Sequence, residues 1–175
     1  MLKRTVFFWL SSFGLAAAGY YLLRLLVPGG HVFGAWYRML RYHEAHPLAY
    51  IALCCLCYGP LAAAALGSWR RRGFPGRLGL VSLLALGTVA LASPLGGMLW
   101  HWHDMQAGYF PAGWLPKLLH GSRDGLLLGW LIVLLSVPYT GLGLLASYGL
   151  LTTGARLFTP GAAGSEPDKQ LQQPG

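Results

Sequence analysis

The sequence predicts an all-α integral membrane protein: a four-helix bundle with an extracytoplasmic interfacial helix and an aromatic loop. Composition is the first observation behind this reading. Hydrophobic residues make up 55% of the chain and charged residues only 10%, whereas about a quarter of an ordinary soluble domain is charged. Apolar runs are the second. Stretches 6–27, 48–67, 78–100 and 125–151 each reach the roughly 20 residues that cross about 30 Å of hydrocarbon. The distribution of Lys and Arg is the third. Lys3 and Arg4 precede the first stretch, Arg70, Arg71, Arg72 and Arg77 crowd the second connection, and Arg156 follows the last stretch. Short basic segments stay on the cytoplasmic side, so both termini are expected in the cytoplasm of a cell with an inner membrane.

The first span follows Met1-Leu2-Lys3-Arg4. Its apolar run exceeds the roughly 7 to 15 residues of a secretory signal core, which predicts a retained anchor. Arg24 lies near the outer end of this span, within reach of lipid headgroups. Between the first two spans, Phe33, Trp36, Tyr37, Leu40 and His43 recur at spacings of three and four. That pattern predicts a short amphipathic helix lying in the membrane interface.

The second span carries Cys54, Cys55 and Cys57, including a Cys-x-x-Cys spacing. No other cysteine exists to relay oxidation, so these are expected to be buried apolar thiols. Pro94 in the third span and Pro138 in the fourth each remove a backbone donor and predict kinks. Small residues four apart, Gly14 with Ala18 and Gly125 with Gly129, together with the run from Ala62 to Ala65, provide faces on which helices approach closely. The second outer loop, 100–123, holds the aromatic turn Tyr109-Phe110-Pro111-Ala112-Gly113-Trp114. Residues 1–158 form one domain, since nothing between the spans is long enough to fold alone. The polar tail 159–175, rich in Pro, Gly and Gln, is expected to be a disordered cytoplasmic segment.

The chemistry is concentrated on one side. All six histidines, His31, His43, His46, His101, His103 and His120, lie in or beside the two outer loops, with Glu44, Asp104 and Asp124 among them. His43 and His46 are three apart, His101 and Asp104 three apart, and His120 and Asp124 four apart. On a helix each pair shares one face. Imidazole and carboxylate pairs on facing helices are the ordinary ligands of zinc, copper or iron. The candidate metal set is therefore His43, His46, His101, His103, Asp104, His120 and Asp124, with Glu44 as an acid/base group if the site is catalytic. In that scheme Asp124 also serves to orient His120. An extended conformation around His101 and His103 would point both rings the same way, and Met105 would then lean the metal towards copper. His101 and His120 are the candidate axial ligands of a haem b near the outer face. The competing expectation is an accessory subunit of a larger electron-transfer, photosynthetic or transport complex, with the lipid bilayer and other membrane subunits as partners.

Several function classes fall away. The net charge of +8 arises from arginines flanking the spans, where they set topology and meet anionic lipid, so nucleic acid is not expected as a partner. The spans hold hydroxyls such as Ser82, Thr88, Ser93, Ser136 and Thr140 but no ionisable group at depth, which argues against a pump or channel. Ser122, between His120 and Asp124, has no nucleophile elbow around it to support a hydrolase.

Overall fold

A computed structural model describes residues 1–33, 40–109, 114–135 and 137–158. These form helices α1 (Leu2–Leu26), α2 (Arg41–Ala45), α3 (Pro47–Arg71), α4 (Phe74–Gln106), α5 (Trp114–Leu135) and α6 (Val137–Leu157). No strand occurs among the described residues. Three of the helices, α1, α3 and α4, are long and apolar enough to cross a membrane, which marks the protein as membrane-embedded. Leu10, Leu22, Leu83, Leu91 and Leu127 are exposed on the outside of the bundle, an arrangement compatible with lipid contact.

Neighbouring contacts set the helix directions. Near its start α1 meets the middle of α3, where Thr5 and Trp9 lie against Gly59. Its far end, at Tyr20, packs with Ile51 near the start of α3. The two helices are therefore antiparallel. α4 runs back along α3, since Arg77 lies over Trp69 and His103 reaches Tyr50. α5 descends along α4, with His101 beside Asp124 and Ser93 beside Gly129. α6 continues in the direction of α5 and lies antiparallel to α1: Tyr139 reaches Ala16 and Gly154 meets Phe8.

Over the expected span 125–151 the described residues are helical on both sides of Ser136, which lies outside them: α5 reaches Leu135 and α6 starts at Val137. Pro138, in the first turn of α6, has no N–H to give the preceding turn. Pro94 lies inside α4 without ending it. α4 has 33 residues, a length of about 50 Å at 1.5 Å per residue. It outruns the expected 78–100 span and carries His101 and His103 on helical backbone. Of the two conformations the sequence left open here, the helical one is found, and on a helix residues two apart face different sides.

Two clusters form the core. Towards the termini, Phe8, Tyr58, Ala62, Leu66, Trp69, Leu84 and Leu151 pack together, with the Tyr58 hydroxyl 2.8 Å from Ser147 Oγ. At the opposite end Tyr20, Phe33, Leu40, Ile51 and Cys55 pack together. Phe33 and Leu40 are 5% and 7% exposed. These two side chains pack into the bundle, and residues 34–39 between them, on which the expected interfacial helix falls, lie outside the described residues. Trp36 and Tyr37, Phe110 to Gly113 of the aromatic turn, and the tail 159–175 lie outside the described residues.

α4 and α5 meet through glycines. A Cβ on Gly97 would lie 2.7 Å from the Gly125 Cα and would also strike the Gly121 carbonyl. A Cβ on Gly125 would strike the Ser93 carbonyl. Backbone here touches backbone, as small-residue seams in membranes allow. Gly14 has nothing within 4 Å of a built Cβ, so its small-residue face is not a contact in this fold.

Candidate functional site

The two ends of the bundle differ in chemistry. At the terminal end arginines close onto aromatic and backbone groups: Arg4 over Phe158 at 5.8 Å, and Arg70 donating to the Ala155 carbonyl at 3.1 Å. The other end gathers all the histidines.

Gly29 and Gly30, at φ of 84° and 71°, turn the chain after α1 in a region of φ that glycine enters without strain. The turn brings His31 to Glu44, with Nδ1 and Oε2 3.1 Å apart. The other Glu44 oxygen accepts the Phe33 backbone N–H at 3.2 Å. Both carboxylate oxygens thus hold the loop down, and Glu44 is engaged in structure at the place where the sequence offered it for acid/base work.

Asp104 ties α2 to the top of α4. Its Oδ1 accepts from Arg41 at 2.7 Å and from the Tyr42 hydroxyl at 2.8 Å. The Arg41 guanidinium lies 4.7 Å from the Tyr42 ring centre and 4.8 Å from that of Tyr109, a cation–π arrangement. The hydrogen bond to Asp104 pushes the Arg41 pKa further up.

The imidazoles are stacked. His43 lies on Tyr50 with ring centroids 3.9 Å apart, and His46 lies on His103 at 4.4 Å. The Tyr50 hydroxyl is 3.3 Å from His103 Nδ1. Desolvation, with a smaller contribution from repulsion by His103, pushes the His43 pKa down to about 4. His43 is therefore a neutral ring at physiological pH. His101 pairs with Asp124 across the α4/α5 seam, Nε2 to Oδ2 at 3.2 Å. His120 is exposed on α5.

The pairs formed are thus not those of chain spacing. Asp104 binds Arg41 and Tyr42, and Asp124 meets His101, four residues from the exposed His120. Among the described residues no group of three or more His, Cys, Asp and Glu side chains is arranged to hold a metal ion. The His46 and His103 planes are only 26° from parallel. Lone pairs of imidazole lie in the ring plane, so stacked rings direct them side by side instead of towards one tetrahedral centre.

Beneath this cap lies an interhelical cavity of about 180 Å³. His43, Tyr50 and Phe33 line its cap side, Tyr20, Tyr139, Trp100 and Leu128 its walls, and Ala92 and Gly96 leave the room. Cys54 and Cys55 also line it as free thiols. The Tyr20 hydroxyl and Trp100 Nε1 are buried with no hydrogen-bond partner among the described residues. Sequence reasoning passed over these tyrosines. Their signal was present all the same: Tyr20 and Tyr139 place phenols inside apolar runs, where each hydroxyl needs a partner.

No family profile, curated protein or solved structure matches the chain.

Proposed function

We propose that the chain is a multi-pass inner-membrane protein that binds a small lipid-soluble molecule beneath its extracytoplasmic cap. The observation that carries this reading is the cavity under His43 and Tyr50, ring-sized, apolar, and bordered by two buried polar hydrogens without acceptors among the described residues. Small-molecule sites are of this kind: concave, mostly apolar, with a few polar groups that orient the ligand.

In this proposal α5 and α6 together make a fourth crossing, and the basic end with both termini faces the cytoplasm. The exposed leucines of α1 and α4 offer contact area to other membrane subunits as well as to lipid. A ligand-holding or accessory role in a larger membrane complex suits a chain without a complete catalytic motif. A transition metal or haem b on the same cap is the rival. It requires His46 and His103 to unstack, and a further donor to join them.

The test is compositional. Protein purified into lipid nanodiscs is analysed for metals, for a haem Soret band, and for apolar molecules released by solvent extraction. Our reading expects a near-stoichiometric apolar molecule that is depleted in Gly96→Leu, a substitution at a cavity-lining position with nothing within 4 Å of the built Cβ. Stoichiometric zinc, copper, iron or haem that disappears in a His46→Ala, His103→Ala variant would replace it with the cofactor reading.

A further inference from the structure

We propose that the molecule held in the cavity is a lipid-soluble quinone, its ring carbonyls accepting hydrogen bonds from Tyr20 and Trp100. This rests on the cavity reading above and names the ligand class.

Size comes first. A cavity of about 150 Å³ lined by apolar side chains takes up benzene. The present one, at about 180 Å³, has room for one six-membered ring with small substituents, and a four-ring macrocycle is too large for it.

Polarity narrows the choice. Tyr20 is 2% exposed, and its hydroxyl and Trp100 Nε1 are buried without partners among the described residues. They come from different helices, α1 and α4, and both residues line the cavity. Each orphaned donor costs free energy until an acceptor meets it. A hydrocarbon supplies no acceptor. A carboxylate or phosphate would bring charge to a lining that contains no Lys or Arg. A neutral ring with carbonyls on two sides answers both donors.

Shape and access agree. Tyr20 and Tyr139 stand edge to face at 6.3 Å between ring centroids, and His43 and Tyr50 lie stacked at the cap side. Flat aromatic surfaces of this sort suit a planar ring. Leu128 lines the cavity and is also 43% exposed on the outer surface. An alkyl or isoprenoid tail has an apolar exit there. The proposal concerns binding alone, with no electron or proton transferred.

The experiment is equilibrium titration of the full chain in nanodiscs with decylubiquinone, and with decylbenzene as a ring of similar tail lacking carbonyls; empty nanodiscs correct for partitioning. The expected result is saturable quinone binding, at least about tenfold tighter than decylbenzene. Tyr20→Phe and Trp100→Phe should each weaken it about three- to tenfold, the worth of one hydrogen bond. Gly96→Leu should abolish it, with the thermal transition retained in all three variants. Equal binding of the two probes, or quinone affinity unchanged in both Tyr20→Phe and Trp100→Phe, overturns the proposal. If quinone fails to bind while wild-type extracts contain another apolar molecule lost in Gly96→Leu, the ligand class is wrong and the cavity reading stands. If neither quinone nor any extracted molecule is found, both fall.

Discussion

His43 lies flat against Tyr50, the two rings 28° from parallel at 3.9 Å, and this contact joins the short helix of the cap to the first turn of α3. Its stability depends on the charge of one imidazole. The His43 pKa is lowered from 6.5 to about 4 on folding, so the unfolded chain binds the extra proton first as pH falls. The stability from neutral His43 is fully present above about pH 6.5 and is lost progressively towards pH 4. Hydrogen exchange across residues 40–50 should accelerate over that interval in wild type. In His43→Phe, which keeps the stack and cannot titrate, the acceleration should be much reduced; an unchanged pH profile would remove His43 as its source.

Asp104 is expected to be the anchor of α2. Asp104→Asn replaces a charged acceptor of two hydrogen bonds with a neutral one. The loss should be about 1 kcal/mol, towards the low end for a charged partner because Arg41 is 45% exposed and screened by solvent. A double-mutant cycle of Asp104→Asn with Arg41→Ala, read by thermal unfolding in detergent, should give a coupling energy of a few tenths to about 1 kcal/mol. Zero coupling would mean that the ion pair seen at 2.7 Å contributes nothing net.

The α4/α5 seam should tolerate no side chain. Gly97→Ala puts a methyl group where two backbones already touch and should cost about 1–3 kcal/mol or more. Gly14→Ala, in open space, should be neutral or stabilise by up to about 1 kcal/mol through helix propensity. The two variants side by side in a denaturant titration distinguish a packing effect from a general intolerance of substitution.

Removal of one hydroxyl from the buried Tyr58 and Ser147 pair should cost about 0.6 kcal/mol and at most about 1.7 kcal/mol, the average and upper end for interhelical hydrogen bonds in membranes. Tyr58→Phe leaves Ser147 without its partner. The combined Tyr58→Phe, Ser147→Ala variant should be less destabilised than the sum of the two single variants, since no orphaned hydroxyl then remains.

How far the sequence could be read depended on the range of each interaction. Helices α1, α3 and α4 announce themselves because an apolar run is a local property. The extension of α4 to Gln106 does not, since Trp100-His101-Trp102-His103-Asp104 is too polar to count as a span yet continues the same backbone hydrogen bonding. The location of all histidines at one end was legible from topology alone. Their partners were not. Spacings of three and four identify neighbours on one helix, whereas His101 finds Asp124 and Arg41 finds Asp104 across 23 and 63 residues. These cross-helix choices depend on the rotation of each helix about its axis, which no single-helix pattern encodes. The cavity was illegible for the same reason: it is a space left between α1, α3, α4, α5 and α6, and no one of them carries its outline.

The glycine seam bears also on how such a chain is made. α5 carries Lys117, Arg123 and Asp124 in its first half, and in the proposed topology these charges must be carried across the membrane to the cap side, where a charge passing through hydrocarbon costs a few kcal/mol. α4 precedes it, is apolar, and presents both a groove for its backbone and His101 for its carboxylate. We expect α5 to leave the translocation machinery as one half of a hairpin already formed with α4. A bulky residue at Gly97 or Gly125 would then appear first as a defect of biogenesis, with less protein inserted, before any loss of stability in the molecules that reach the membrane.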